Sequence, residues 1–171
     1  MISESKINRP DLILNILAEK LHYDLDYENS KIEDGMDVSI CTIDIKNNSI
    51  LYAGARRPLL IIDNGTSSRI PGDRMSIGGK LLDTKFRYHE FPISKTANYF
   101  MYTDGYTDQF GGKSDKKFKT AKFINLLEQS YGETTKHHLE NIENTFMNWR
   151  GLHERKLTPQ TDDVLVVGFS L

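Results

Sequence analysis

DVSICTIDIKNNSILYAGARRPLLIID, residues 37–63, consists of three short runs rich in β-branched and aromatic residues. Alternating apolar and polar positions predict one β-strand in each of residues 37–45, 48–55 and 58–63. The KNNS break at residues 46–49, and the Asn64-Gly65 pair after the last run, are typical of hairpin turns. The stretch therefore predicts the start of an antiparallel sheet.

Further strands and helices are predicted on the carboxyl-terminal side of this stretch. β-Forming residues recur at Phe86–Ile93 and Asn98–Thr103, and the nearly continuous apolar run VLVVGF, residues 164–169, predicts a buried strand. Apolar residues at helical spacing predict helices at Phe118–Tyr131 and Thr135–Trp149. The core-facing positions of these two helices would be Phe123, Leu126, Leu127 and Tyr131, and then Leu139, Ile142, Phe146 and Trp149.

One more helix is predicted before the stretch. Asn8 would cap it and Pro10 would occupy its first turn. The polar segment His22–Asp34 has no periodicity and predicts a loop. The pattern as a whole indicates an α+β layer architecture, with antiparallel strands and peripheral helices. The apolar face of this first helix would consist of Ile13, Ile16, Leu17 and Leu21.

Composition limits the classes of function. The 171 residues fit a single domain over residues 1–171, and a 38% hydrophobic content allows a core without disulfides. A formal net charge of -2 argues against a broad electrostatic hold on nucleic acid or on a membrane surface. The lone Cys41 is interpreted as a small buried residue, because it sits in an alternating apolar run. No signal region or membrane span is apparent, which predicts a cytoplasmic protein.

Carboxylates stand at the ends of two predicted strands. Asp104 follows residues 98–103, and Asp162-Asp163 precede residues 164–169. If these strands are antiparallel neighbours, the acids lie at one edge of the sheet, where their charges repel unless a cation intervenes. Mg²⁺ and Mn²⁺ prefer such oxygen ligands. An alternative stays open at this point, since acids that flank strands are also ordinary turn residues and helix caps.

Other catalytic signatures are weak in this sequence. His137 and His138 are adjacent on a predicted helix, so they would point in different directions and could not form an i, i+4 metal pair. The sequence contains no G-x-S-x-G elbow, Walker loop or dinucleotide fingerprint. A nucleotide- or carbohydrate-acting hydrolase with paired carboxylates remains an alternative, but it needs a separate acid and base.

Five motifs in order resemble the SpoIIE-like branch of the PPM-type serine/threonine protein phosphatases. The resemblance runs from about Lys31 to the carboxyl terminus, and the order of the motifs is more specific than any one of them. It implies an antiparallel β-sandwich with helices packed outside. The motifs are DGMD with AGA and a later Pro at 34–58, IPGDRMSIGG at 70–79, DGYTDQFGG at 104–112, FMNWRG at 146–151 and TDDVLVVGF at 161–169.

The resemblance also implies a chemistry. Members of the family hold a pair of Mn²⁺ or Mg²⁺ ions, and metal-activated water attacks a phosphoserine or phosphothreonine. Asp104 and Asp162 match metal ligands of the family, and Gly105 and Asp163 match residues that support them. The implied partner is a phosphorylated protein substrate such as an anti-anti-sigma-type regulator.

The sequence departs from the family in two places. The family's domain opens with two further acidic motifs, one of which supplies the carboxylate that bridges the metals, and nothing upstream of Lys31 resembles either. The expectation is a domain without its first strands and first metal motifs, with weak metal binding and with exposed strand edges that favour a homodimer. Arg56 and Arg57 replace the more usual Asn or His, and they are interpreted either as solvated loop residues or as phosphate contacts.

Two functions from different classes follow from these observations. The first is a SpoIIE-type phosphatase that hydrolyses phosphoserine or phosphothreonine on a regulatory protein. The second is a catalytically inactive phosphatase-like module that binds or dimerises in signalling, because the bridging-metal motif has no counterpart. Whether the chain is an enzyme is therefore left open by the sequence.

Overall fold

A computed structural model describes residues 8–25, 35–78, 85–151 and 157–171, and every count below refers to these ranges. The helices are α1 (Pro10–Asp24), α2 (Asp104–Thr107), α3 (Thr120–Gln129) and α4 (Thr135–Trp149). The strands are β1 (Gly35–Met36), β2 (Val38–Asp44), β3 (Ser49–Ala55), β4 (Leu59–Asp63), β5 (Thr66–Ile70), β6 (Ile77–Gly78), β7 (His89–Pro92), β8 (Ala97–Tyr102), β9 (Phe110–Gly111), β10 (Lys116–Lys117) and β11 (Val166–Ser170).

The first of two compact units contains, among the described residues, 8–25, 35–59, 69–78, 85–95 and 171. Its main sheet has the order β2-β3-β7, and both pairings are antiparallel. The short strands β1 and β6 pair with each other. Helix α1 contributes Leu14 to the core of this unit, because that side chain is fully buried. The other buried members of this core are Ala53, Ala55, Ile77 and Phe86.

The second unit contains, among the described residues, 60–68, 96–151 and 157–170. Its sheet has the order β11-β8-β4-β5, and β8 pairs antiparallel with both β4 and β11. Burying a large apolar side chain contributes about 1.5–3 kcal/mol, so the core shared by sheet and helices is the main source of stability in this unit. The buried members of this core are Leu60, Ile62, Phe100, Tyr102, Tyr106, Phe118, Phe123, Leu127 and Phe146.

The predicted α+β class with antiparallel sheets is confirmed. The strands predicted at 37–45, 48–55, 58–63 and 98–103 correspond to β2, β3, β4 and β8. Both predicted hairpin turns are present, between β2 and β3 and between β4 and β5. Asn64 and Gly65 have φ angles of 49° and 72°, as expected for a two-residue turn that needs left-handed backbone.

The first helix differs from the prediction at both ends. Arg9 rather than Asn8 occupies the N-cap position, without a side-chain cap. The reason is that Pro10 disfavours helical backbone in the preceding residue, and Arg9 is accordingly extended, with φ −85° and ψ 117°. The helix also continues through Asp24, so the predicted loop is wrong at His22–Asp24. Residues 26–34 of that loop lie outside the described residues.

Three other predictions are corrected by burial. β11 is not buried, because it stands last in its sheet and Val167 is 40% exposed. Leu139 is 63% exposed, and His138 takes the inward position on α4 instead. On α1 the fully buried residue is Leu14, whereas Ile16 is exposed. The polar strand β5 was missed because TSSR lacks an apolar alternation.

Candidate functional site

The ends of β8 and β11 meet in register. Tyr102, the last residue of β8, is paired with Val166, the first residue of β11. Thr103 extends the connection by one residue, because its N–H donates to the carbonyl oxygen of Leu165 at 3.0 Å. Its hydroxyl donates to the carbonyl oxygen of Asp163 at 3.0 Å and accepts from the N–H of Leu165 at 2.9 Å. One threonine thus ties the two acidic turns together.

Gly105 brings the backbones of the two turns into direct contact. A Cβ atom at this position would overlap the carbonyl oxygen of Asp163 and would lie 3.3 Å from the carbonyl carbon of Asp162. Only a residue without a side chain permits this approach. The structure therefore brings together all four residues predicted here, Asp104, Gly105, Asp162 and Asp163.

The carboxylates of these turns differ in their surroundings. Asp162 is exposed, and its Oδ1 accepts from the N–H of Asp163 at 2.7 Å. Asp104 is partly buried at the start of α2. Asp108, the second acid of the DGYTD motif, forms an ion pair with Lys117 at 2.7 Å. Asp108 is therefore already paired, whereas Asp104 and Asp162 stand on the two turns that meet.

The donor set fits a hard divalent cation that keeps most of its water. Mg²⁺ is commonly held by one or two carboxylates, with water and substrate phosphate completing the shell. Within the described ranges, no group of three or more His, Cys, Asp or Glu is placed to hold a metal ion. Two carboxylates on meeting turns are thus compatible with such an ion, while an all-protein cage is not formed by these ranges.

Gln109 is a positioning residue that the sequence reading missed. Its side chain is fully buried, and its amide nitrogen donates to the carbonyl oxygens of Phe110 and Pro159, each at 2.9 Å. Its amide oxygen accepts from the N–H of Thr161 at 3.0 Å. The amide therefore joins the loop that follows Asp104 to the segment that precedes Asp162. A glutamine between two acidic motifs gave no sequence signal for this role.

Trp149 explains why positions 111 and 112, after Gln109 and Phe110, are both glycine. Its indole N–H donates to the carbonyl oxygen of Gln109 at 3.0 Å, and its carbonyl oxygen accepts from the N–H of Gly112 at 2.8 Å. A Cβ on Gly111 would overlap the Trp149 carbonyl oxygen, and one on Gly112 would lie 2.8 Å from the indole ring. The FGG and FMNWRG motifs are therefore two sides of one contact.

Tyr106 anchors the Asp104 turn in the core of the second unit. Its ring lies 4.7 Å from that of Phe123 and 5.1 Å from that of Phe146, centroid to centroid. Its hydroxyl donates to the carbonyl oxygen of Ile142 at 2.8 Å. Burial raises the pKa of this phenol, so the group stays protonated and acts as a structural donor.

The two predicted arginines have different environments. Arg57 pairs with Asp37 at 2.6 Å, and the same carboxylate accepts from the Ser76 hydroxyl at 2.7 Å. Arg56 is exposed and has a φ angle of 56°, which is unusual for a residue with a side chain. The guanidinium of Arg57 is thus already bound within the protein.

The adjacent histidines point in different directions, as expected. His137 is exposed and lies 3.1 Å from Glu133, one turn earlier. His138 is buried, and its Nδ1 lies 3.1 Å from the hydroxyl of Ser130. Neither histidine belongs to a group of three or more potential metal ligands within the described ranges.

Solved phosphatase domains share this fold. The SiaA-PP2C domain of Pseudomonas aeruginosa superposes with a TM-score of 0.86 at 23% identity, over 99% of this chain and 64% of that domain. The PP2C phosphatase domain of SpoIIE from Bacillus subtilis, with a fragment of its regulatory domain, gives 0.63 at 13% identity, over 92% and 48%. RsbX in complex with magnesium gives 0.50 at 14% identity, over 92% and 70%. The fold is therefore that of the PP2C, or PPM, class of phosphatase domains.

Family membership follows from the sequence match. The family model described as stage II sporulation protein E (SpoIIE) matches residues 2–171. The chain belongs to the SpoIIE family. It spans 64% of the length of the SiaA domain. No curated protein matches the chain, and none of the described helices has the length and apolar character needed to cross a membrane.

Proposed function

We propose that this chain is a metal-dependent serine/threonine protein phosphatase of the SpoIIE type. Its substrate would be a phosphoserine or phosphothreonine on a regulatory protein, of which an anti-anti-sigma-type regulator is the candidate. The observation that carries the proposal is the contact of the Asp104-Gly105 turn with the backbone of Asp162 and Asp163. Membership of a phosphatase family, and a relative of the same fold in complex with magnesium, support this reading.

The acidic residues of the two turns have distinct proposed roles. Asp104 and Asp162 would hold Mn²⁺ or Mg²⁺, while Asp163 shapes its turn through its backbone. A divalent cation there supplies a water of lowered pKa and compensates the charge that develops on the phosphoryl oxygens. Thr103 and Gln109 hold the backbones of the two turns in contact, which supports a site shared by Asp104 and Asp162.

Calorimetric titration with Mn²⁺ tests this site directly. Asp104→Asn and Asp162→Asn should each weaken Mn²⁺ binding at least ~10-fold, because each removes one charged ligand. Asp115→Asn is the matched control, since Asp115 is exposed in a turn with a φ of 46° that asparagine adopts easily. Equal binding by all variants would place the ion elsewhere.

Hydrolysis of a phosphoserine peptide tests the activity. Release of phosphate should require Mn²⁺ or Mg²⁺, and it should be lost in both ligand variants but kept in Asp115→Asn. Metal-independent hydrolysis, or hydrolysis that survives in Asp104→Asn, would contradict the proposal.

A second candidate function is a phosphatase-like module that binds partners without turnover. It is favoured by the small number of ligands, because no group of three metal-ligating side chains occurs within the described ranges. The half-exposed strand β11 offers an edge for association with a second copy of the chain. Micromolar Mn²⁺ binding with phosphate release would decide for the enzyme, and the absence of both would decide for the module.

A further inference from the structure

A cleft of about 530 Å³ in the first unit is lined by three arginines. Arg56 follows β3, Arg69 belongs to β5, and Arg74 lies in the loop before β6. Pro71, Gly72 and Asp73 complete the lining. The cleft shares no residue with the two acidic turns.

The single acid in the cleft is already neutralised. The carboxylate of Asp73 accepts from the backbone N–H of Arg87 at 2.8 Å and from its guanidinium at 3.1 and 3.3 Å. Arg87 does not line the cleft. The three lining guanidinium groups therefore carry a positive charge that Asp73 does not offset.

Arginines outside the cleft all have an acceptor. Over the part of the chain that the structure describes, their guanidinium groups bind Asp11, Asp37, Asp73 and the carbonyl oxygen of Thr158. Arg56, Arg69 and Arg74 form no hydrogen bond or ion pair through their side chains within the same ranges. Unpaired donors are thus concentrated in one concave place.

The backbone around the cleft is held firmly. The N–H of Arg56 donates to the carbonyl oxygen of Asp73, and the N–H of Asp73 donates to that of Gly54, both at 2.8 Å. A Cβ on Gly72 would overlap the carbonyl oxygen of Arg57 and lie 2.7 Å from that of Gly54. Arg56 occupies this frame in a left-handed conformation that favours glycine or asparagine. Its backbone therefore gives no reason for an arginine, whereas its position in the cleft does.

We propose that the arginine cleft binds the phosphate group of a phosphoserine- or phosphothreonine-containing peptide. A phosphate monoester carries nearly two negative charges and three acceptor oxygens at neutral pH, and guanidinium groups bind such oxygens in pairs. The choice of a phosphopeptide rests on the proposed function, whereas the oxyanion chemistry rests on the three arginines alone. The cleft would capture the phosphorylated partner independently of the bound cation.

Isothermal titration of the full chain in EDTA tests this proposal without any turnover. A short phosphoserine peptide should bind at least ~10-fold more tightly than the same peptide with serine, as expected for charge-assisted hydrogen bonds. Arg56→Gly should weaken phosphopeptide binding ~10-fold or more while leaving the melting temperature unchanged or raising it, because glycine suits the left-handed backbone. Misfolding then cannot explain the loss.

Arg69→Gln and Arg74→Gln should also weaken binding of the phosphopeptide. Charge-matched control variants show how much affinity is lost when any one positive charge of the unit is removed. Lys20→Gln, Lys46→Gln and Lys95→Gln remove exposed cations of the same unit outside the cleft, and they should change binding less than ~2-fold. Equal affinity for the two peptides, or unchanged binding by Arg56→Gly, would overturn the proposal. If inorganic phosphate binds with the same affinity as the phosphopeptide, the peptide contributes nothing to recognition and is overturned as the source of the phosphate.

The two proposals can fail separately. Asp104→Asn alters the proposed cation site and leaves every lining residue of the cleft in place. Retained phosphopeptide binding in this variant, together with lost hydrolysis, supports both proposals. If the chain binds the phosphopeptide but does not hydrolyse it under any metal condition, the proposed phosphatase activity is refuted and the proposed binding in the cleft is retained.

Discussion

Three hydrogen bonds converge on the buried amide of Gln109, and two of them, with Pro159 and Thr161, connect the loop after Asp104 with the segment before Asp162. The two acidic turns are connected by neutral groups and not by ion pairs between them. A neutral side chain, a threonine hydroxyl and a glycine without a side chain keep the turns together. At the scale of single residues, the geometry of the site depends on groups that take no part in metal ligation.

Replacing Gln109 with methionine should lower the free energy of unfolding by about 2–4 kcal/mol. The substitution keeps the length of the side chain but removes all its hydrogen bonds and leaves their partners unsatisfied. Gln129→Met at the exposed end of α3 is the matched control, and it should change stability by less than about 0.5 kcal/mol. Urea denaturation measures the free energy of unfolding of both variants. Equal midpoints for Gln109→Met and the wild type would show that the amide does not stabilise the fold.

His138 should make the second unit sensitive to acid. Burial lowers the pKa of this imidazole, and Glu133 offsets the effect only in part. Its folded form therefore binds fewer protons than its unfolded form, so its contribution to stability is complete above the unfolded pKa of about 6.5 and is lost as the pH falls below it.

The pH dependence of urea denaturation between pH 8 and pH 5 checks this expectation. The loss of stability on acidification should be smaller in His138→Leu, which cannot titrate. His137→Leu should keep the full loss, because His137 is exposed. A wild-type profile that is reproduced by His138→Leu would contradict the assignment.

At the scale of elements, helix α4 and the loop Phe110–Gly112 form one packed contact. The indole of Trp149 lies against both glycines, and Lys122 of α3 places its ammonium 3.7 Å from the centre of the same indole. Positions 111 and 112 therefore require glycine for steric reasons, because Trp149 of α4 fills the space that a side chain would need.

Two glycines with similar backbone angles separate the steric cost from the conformational cost. Gly112 has a φ of 66° and would place a Cβ against the indole of Trp149, whereas Gly132 has a φ of 87° and would place one in open space. Gly132→Ala should destabilise by about 1–2 kcal/mol from backbone strain alone. Gly112→Ala should cost about 1–3 kcal/mol more because of the overlap, and thermal denaturation of both variants compares them.

At the scale of the whole molecule, the residue pattern and the family motifs predicted the fold class, and the acids at the ends of two neighbouring strands predicted that their turns would meet. The DGYTD and TDDVLVV segments predict the ends of strands, because their carboxylates border apolar runs. The role of Gln109 could not be predicted, since its partners at Pro159 and Thr161 are distant in sequence and mostly backbone atoms. The exposure of β11 was also out of reach, because an apolar run reveals composition but not its place at the end of a sheet.

The half-exposed strand β11 should allow self-association at high concentration. Val167→Lys places a charge on this strand and should lower the weight-average mass of the chain in sedimentation equilibrium. Ile45→Lys at the exposed β2–β3 turn removes an apolar side chain elsewhere and should leave the mass unchanged. A wild-type chain that stays monomeric at every concentration would rule out association through this edge.

Trp149 is the sole tryptophan of the chain. Its indole N–H donates to the carbonyl oxygen of Gln109 and its ring lies against Gly111 and Gly112, so all tryptophan fluorescence of the protein comes from this one place. A paramagnetic ion such as Mn²⁺ or a shift of that loop would alter the intensity or colour of the emitted light. The molecule thus carries a natural optical probe beside its two acidic turns, and no dye needs to be attached to follow them in real time.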